Sequence, residues 1–151
     1  MLDDLDRRLL RQLQADPSLA ASELADICGL ALATCTRRLE RLRTTGVLMG
    51  RGVVVNWAAL GFTVEVSLRI TLDKTQPRAF DDFIEAAHDV PEVLEIQTFL
   101  GSVDVRLSVI ARDMAHYQDI YRARILTLPH IADIEALMQI ARIKADETVP
   151  I

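Results

Sequence analysis

The 151-residue chain is 50% hydrophobic and 26% charged, a globular composition that excludes an extended disordered chain. Its length allows one domain or two small ones with a real core, and no apolar run reaches the roughly 18 residues of a membrane span. The net charge of −5 argues at first sight against nucleic acid, but the charge is unevenly placed. Residues 1–56 hold eight arginines against seven acids, whereas residues 57–151 hold nine basic residues against fifteen acids. Within 30–51 there are five arginines and only Glu40. Binding responds to such a local patch, not to the total. The start, MLDDLDRRLL, carries no apolar leader core, and Cys28 and Cys35 lack ligand-pair spacing. Both features point to the cytoplasm and to reduced, half-buried thiols.

From the N-terminus, Leu2, Leu5, Leu9 and Leu13 recur with helical spacing, and Leu10 stands beside them. They predict an amphipathic helix over about 3–15 with Asp3, Asp4 and Asp6 at its positive end. Asp16-Pro17 ends it. A short helix over 21–28, ASELADIC, turns Leu24 and Ile27 inward. Gly29 then leads into 30–46, LALATCTRRLERLRTTG, which Gly46 stops. At about 100° per residue, Leu32, Cys35, Leu39 and Leu42 share one side of this third helix. Thr34, Arg37, Arg38 and Arg41 gather nearly opposite. Two readings stand: an ordinary surface helix with a solvated basic face, or a helix made for the DNA major groove. Three short helices with a glycine turn before the last favour the second, a helix-turn-helix.

Val47-Leu48-Met49 and Val53-Val54-Val55 flank Gly50-Arg51-Gly52 and predict a two-stranded wing. Arg51 at its tip either reaches a phosphate or is an exposed turn arginine. The character changes after Leu60-Gly61. From Thr63 to Leu72 the residues alternate strictly, with Val64, Val66, Leu68, Ile70 and Leu72 on one face. Gln76-Pro77 starts a helix whose buried stripe is Phe80, Phe83, Ile84 and Ala87. Strands follow at 93–100 and 104–110 around the turn Gly101-Ser102-Val103. Asp113 N-caps a helix over 113–126, and Pro129 precedes a last strand over 131–143 with Ile134, Ala136, Met138 and Ile140 on one face. The order is βαββαβ, a ferredoxin-like α+β domain. The chain thus divides into a helix-turn-helix over 1–50, a wing and linker over 51–62, and the βαββαβ domain over 63–151.

Two helices cover only one face of a four-stranded sheet. The other carries Glu65, Ser67, Arg69, Glu95, Gln97, Arg106 and Ser108 mixed with Phe99, Ile110 and Leu137. That mixture is too apolar for water and too polar for a core, and a homodimer packed sheet to sheet accounts for it.

Leu5-Asp6-Arg7, Leu9-Leu10, Leu13-Gln14, Glu23-Leu24-Ala25, Gly29-Leu30, Arg37-Arg38-Leu39 and Arg41-Leu42 fall in register with the N-terminal half of the Lrp/AsnC family. Gly46-Val47-Leu48, Asn56, Leu60-Gly61, Pro91-Glu92-Val93, Gly101-x-x-Asp104 and Leu128-Pro129 carry the resemblance through the second half. It implies a winged or simple helix-turn-helix joined to an effector-binding and assembly domain (RAM domain), dimers stacked into octamers, and an amino-acid effector near Leu100, Gly101, Ser102, Val103, Asp104 and Val105. Asp104 would then pair with an effector's ammonium group and the Gly101 region with its carboxylate; alternatively Asp104 caps its own backbone. Leu100, Val105 and Pro129-His130-Ile131 depart from the family's pattern, which points toward a more apolar ligand or none. Ala20 and Ala31 stand where Ser or Thr caps are expected, and Trp57 replaces a linker proline and is expected to pack the domains' junction.

The expected partner is double-stranded DNA, read as a pseudo-palindromic operator. Arg37, Arg38, Arg41 and Arg51 would contact mostly phosphates, with one bidentate guanine contact among the helix arginines, and Ala33 and Thr34 would meet a thymine methyl or base edge. His88, His116 and His130 have no metal-ligand spacing, and no phosphate loop or nucleophile elbow is present. Neither a metal nor a cofactor is expected, and no membrane contact. An enzyme stands as the alternative, because sirohaem decarboxylases resemble the same two-domain family; the wing sequence Leu48-Met49-Gly50-Arg51-Gly52 differs from theirs.

Overall fold

A capping box opens the first helix. In a computed structural model, which describes residues 1–50, 53–145 and 148–151, α1 spans Asp4–Ala15 with Asp3 as N-cap. The Asp6 N–H donates to Asp3 Oδ1 at 2.8 Å, and the Asp3 N–H donates to Asp6 Oδ2 at 3.1 Å. Helix α2 spans Ala21–Cys28 and closes on Gly29, whose φ of +64° suits a residue without Cβ. There the Leu30 N–H donates to the Ala25 carbonyl at 2.8 Å, which satisfies an orphan acceptor and reverses the chain into α3, Leu32–Thr44. Leu9, Leu13, Leu24, Ala25, Cys28, Cys35 and Leu39 bury together between the three helices. Both cysteines are free and buried, and burial pushes their thiols up. Leu32 and Ile27, expected inside, are each about half exposed.

Among the described residues, 47–50 and 53–55 form no paired strand, and Met49, Val53 and Val54 are almost fully exposed. Arg51 lies outside the described residues. The chain divides into two units, residues 1–54 with 144–151, and residues 55–143. The final residues therefore associate with the N-terminal helices. The Gln14 side-chain amide donates to the Val149 carbonyl at 3.2 Å and accepts from its N–H at 2.7 Å.

The second unit is the expected βαββαβ fold. Strands β1 (Val64–Leu72), β2 (Val93–Thr98), β3 (Val105–Ala111) and β4 (Ile131–Met138) form an antiparallel sheet in the order β2-β3-β1-β4. Helices α4 (Ala79–His88) and α5 (Met114–Ile120) supply Phe83, Ala87, Tyr117 and Ile120 to a core shared with Val66, Leu68, Ile70, Val105, Leu107 and Val109. The period-2 pattern of β1 is realised directly. Beyond α5 the backbone widens into a π turn over Tyr121–Ile125, where the Leu126 N–H donates to the Tyr121 carbonyl at 2.9 Å. In a regular α-helix Ile120 and Ile125 would point about 140° apart; the wider turn lets both bury.

Several boundaries differ from expectation. Phe80 is about half exposed, because α4 presents Ala79, Phe83 and Ala87 to the sheet instead. Strand β4 ends at Met138, and Ile140 is fully exposed beyond it. Trp57 opens a single 3-10 turn over Ala58–Leu60, and the Arg142 guanidinium lies 5.8 Å above its ring, a cation–π contact inside the C-terminal unit. His130 adopts φ +63°, a left-handed backbone that residues other than glycine rarely take. Its carbonyl accepts from the Asp73 N–H at 2.8 Å, and its Nε2 lies 3.1 Å from Asp82, whose carboxyl it holds below the usual range. These contacts offset the roughly 1–2 kcal/mol of a left-handed L-residue.

Candidate functional site

The basic face of α3 is organised by an acid that the sequence hid. Asp6 is wholly buried (0% exposed) and accepts from Arg38 Nη1 at 2.8 Å and from Arg41 Nη2. Arg38 Nη1 also reaches Asp3 Oδ2 at 2.7 Å. Two aspartates one turn apart on α1 thus meet two arginines one turn apart on α3 in a neutral cluster. The Asp6 backbone amide and Arg38 lower Asp3 to about 2. Arg38 accordingly lies at the flank facing α1, not opposite the core. Arg43 approaches Glu40 at 3.7 Å. Arg37, by contrast, is exposed and has no acid within ion-pair distance among the described residues. Ala33 is exposed beside it and Thr34 is half-buried. No side chain caps α3 at Ala31, and the Thr34 N–H donates to the Ala31 carbonyl at 3.0 Å.

In the C-terminal unit, a cleft of about 390 Å³ opens at the end of the uncovered sheet face. Leu100, Gly101, Ser102 and Val103 line it, joined by Phe99, Arg69 and Arg106. Gly101 has φ +148°, a conformation that favours glycine. Leu100 is fully exposed and Phe99 nearly half exposed. Arg69 and Arg106 are direct cross-strand partners between β1 and β3. Arg69 leans toward Glu135 at 3.5 Å on one side, and Arg106 toward Glu95 at 3.3 Å on the other.

Asp104 and Val105 turn away from this cleft. Val105 is fully buried in the core. Asp104 is 9% exposed, and its Oδ2 accepts from the Leu72 N–H at 2.9 Å while Lys74 Nζ lies 3.2 Å from Oδ1. The Leu72 amide, then Lys74, hold its carboxyl below the usual range. Its main chain is also engaged, with the Asp104 N–H donating to Ile70 O at 3.0 Å and its carbonyl accepting from the Phe99 N–H at 2.9 Å. Asp104 thus fastens the loop to β1. Sequence alternation placed Arg69 and Arg106 on the open face, but only the strand register sets them opposite each other.

The three histidines lie apart: His88 beside Asp89, His116 accepting from the Arg112 N–H at 3.1 Å, and His130 on Asp82. Among the described residues no group of three potential ligands gathers for a metal, and no helix is long and apolar enough to cross a membrane.

The comparisons with known proteins match both units. The Lrp/AsnC ligand binding domain model matches residues 65–149, and a winged helix-turn-helix DNA-binding model matches residues 2–49. The chain is 28% identical to the DNA-binding transcriptional activator DecR of Escherichia coli over 100% of this chain and 99% of that protein. It is 29% identical to the leucine-responsive regulatory protein of Haemophilus influenzae over 95% of this chain and 86% of that one. The crystal structure of an AsnC family transcriptional regulator from Agrobacterium tumefaciens superposes with a TM-score of 0.87 at 30% identity, covering 99% of this chain and 97% of that chain. With both halves matched in order, and the helix-turn-helix and βαββαβ sheet each present, the chain belongs to the Lrp/AsnC family of DNA-binding transcriptional regulators.

Proposed function

We propose that this regulator binds its operator through the outward face of α3, with Arg37 as the leading phosphate contact and Ala33 and Thr34 near base edges. The observation that carries this reading is the ion pairing on α3. Arg38 and Arg41 are neutralised by Asp3 and Asp6, which leaves Arg37 with its charge unspent. Phosphate binding draws on net local charge and on counterion release. Arg38 and Arg41 act in this reading by holding α3 at a fixed angle on α1.

The cleft at Phe99–Val103 is the effector site in this reading, taking an amino acid or a related apolar metabolite. The H. influenzae relative is named as leucine-responsive, which supports an effector of that size. The uncovered sheet face, with Phe99 and Leu137 among charged residues, packs against a second copy, and dimers assemble further toward an octamer in the cytoplasm. A dimer reads a pseudo-palindromic site with half-sites about one helical turn, or a multiple of it, apart.

The test is a gel-shift titration on DNA upstream of the protein's own gene, at fixed salt, with and without a panel of amino acids and related acids. Specific binding whose midpoint moves with one ligand is expected. Binding no tighter than to unrelated DNA contradicts the reading. Light scattering on the free protein tests assembly, for which a monomer is the contrary result.

A further inference from the structure

Two arginines face each other directly across β1 and β3, a placement that disfavours the sheet unless an anion lies between them. Their own acids do not fill that place. Glu135 and Glu95 draw Arg69 and Arg106 outward to opposite sides at 3.5 and 3.3 Å. Both arginines line the cleft, and among its described lining residues there is no acid. The rest of the lining is apolar or small: exposed Phe99 and Leu100, with Val103, Gly101 and Ser102. Asp104, the carboxylate nearest in sequence that could receive an ammonium group, is committed to the Leu72 N–H and Lys74.

From this arrangement we infer that the effector is an apolar carboxylic acid lacking an α-ammonium group, of the 2-oxo acid class, held by Arg69 and Arg106. The inference rests on the reading that this cleft is the effector site. The carboxylate sits between the guanidinium groups, where planar donors match it. The hydrocarbon body covers Phe99 and Leu100. An amino acid of the same shape brings a positive charge beside two arginines in a cleft whose described lining holds no acid, and so binds more weakly.

The experiment is calorimetric titration of the intact protein with 4-methyl-2-oxopentanoate and phenylpyruvate against L-leucine, L-phenylalanine and inorganic phosphate. Each oxo acid is expected to bind about ten-fold or more tightly than its amino acid, the scale of one charge-assisted contact. Arg69→Gln and Arg106→Gln should each weaken oxo-acid binding about ten-fold while circular dichroism stays unchanged. Equal or tighter binding of the amino acids overturns the inference, as does binding by no acid in the panel. Phosphate binding as tightly as the oxo acids overturns its apolar part, and unchanged affinity in both arginine variants removes the site. Operator binding by the same samples separates the two failures. Intact operator binding with no oxo-acid preference defeats this inference alone, whereas oxo-acid binding without any operator binding defeats the regulatory reading.

Discussion

Arg38 with Arg41 and Arg69 with Arg106 are two arginine pairs in one chain with opposite surroundings. On α3 the chain supplies its own counter-ion, because Asp6 is buried between the two guanidinium groups and Asp3 adds a second carboxylate. On the sheet each arginine has its own acid, Glu135 or Glu95, and both arginines line a cleft. The same side chain thus closes on an acid shared with its neighbour in one unit and pairs with a separate acid in the other. What decides between them is the position of one carboxylate, not the number of charges. A basic stripe read from spacing alone overstates the charge available to DNA by the amount that tertiary partners neutralise.

The largest expected effect breaks the closed pair. Asp6→Ala leaves two guanidinium groups without their buried partner and removes half of the capping box. It should cost about 3 kcal/mol in urea unfolding, toward the low end for a broken buried ion pair because both arginines reach solvent. A loss below about 0.5 kcal/mol, ordinary for a surface change, would mean that the cluster fastens nothing.

On the open side, Asp104→Ala strands the Leu72 N–H at a buried position and should cost about 2 kcal/mol. Asp104→Asn keeps an acceptor there and should cost less than half as much. If instead both variants are fully stable and lose effector binding equally, Asp104 faces the ligand and not the backbone.

Acid titration gives a smaller signal. Asp3 is lowered from 3.8 to about 2, so its carboxylate favours the folded state above pH 4. That contribution falls away as the pH drops through about 2. Asp3→Asn should therefore flatten the stability profile between pH 4 and 2 and leave its shape unchanged at neutral pH. An unaltered acid limb in fluorescence-monitored melts would contradict the pairing.

Much of the architecture was legible because local signals agreed with one another. Asp16-Pro17, Gly29 and Gly46 punctuated the three helices, and the alternation of Val64–Leu72 marked a one-sided strand. The segments 47–50 and 53–55 show no paired strand among the described residues, where Met49, Val53 and Val54 stand exposed while Leu48 packs on the helical core. The site was less legible. The spacing of Asp3 with Asp6 matches that of Arg38 with Arg41, but a spacing match does not say that α1 meets α3. Likewise, Gly101-x-x-Asp104 marked the loop, while the direction in which Asp104 turns depends on the Leu72 amide one strand away. Arg69 and Arg106 needed the β1–β3 register.

In the proposed reading, pairing and not spacing selects the arginines that reach DNA. The salt dependence of operator binding tests it most directly, with Arg37→Ala and Arg41→Ala compared well below their unfolding midpoints. Arg37→Ala should lower the slope of log K against log salt by about 0.9, one phosphate contact, and Arg41→Ala should leave the slope unchanged. A slope that falls for Arg41→Ala and not for Arg37→Ala would contradict it.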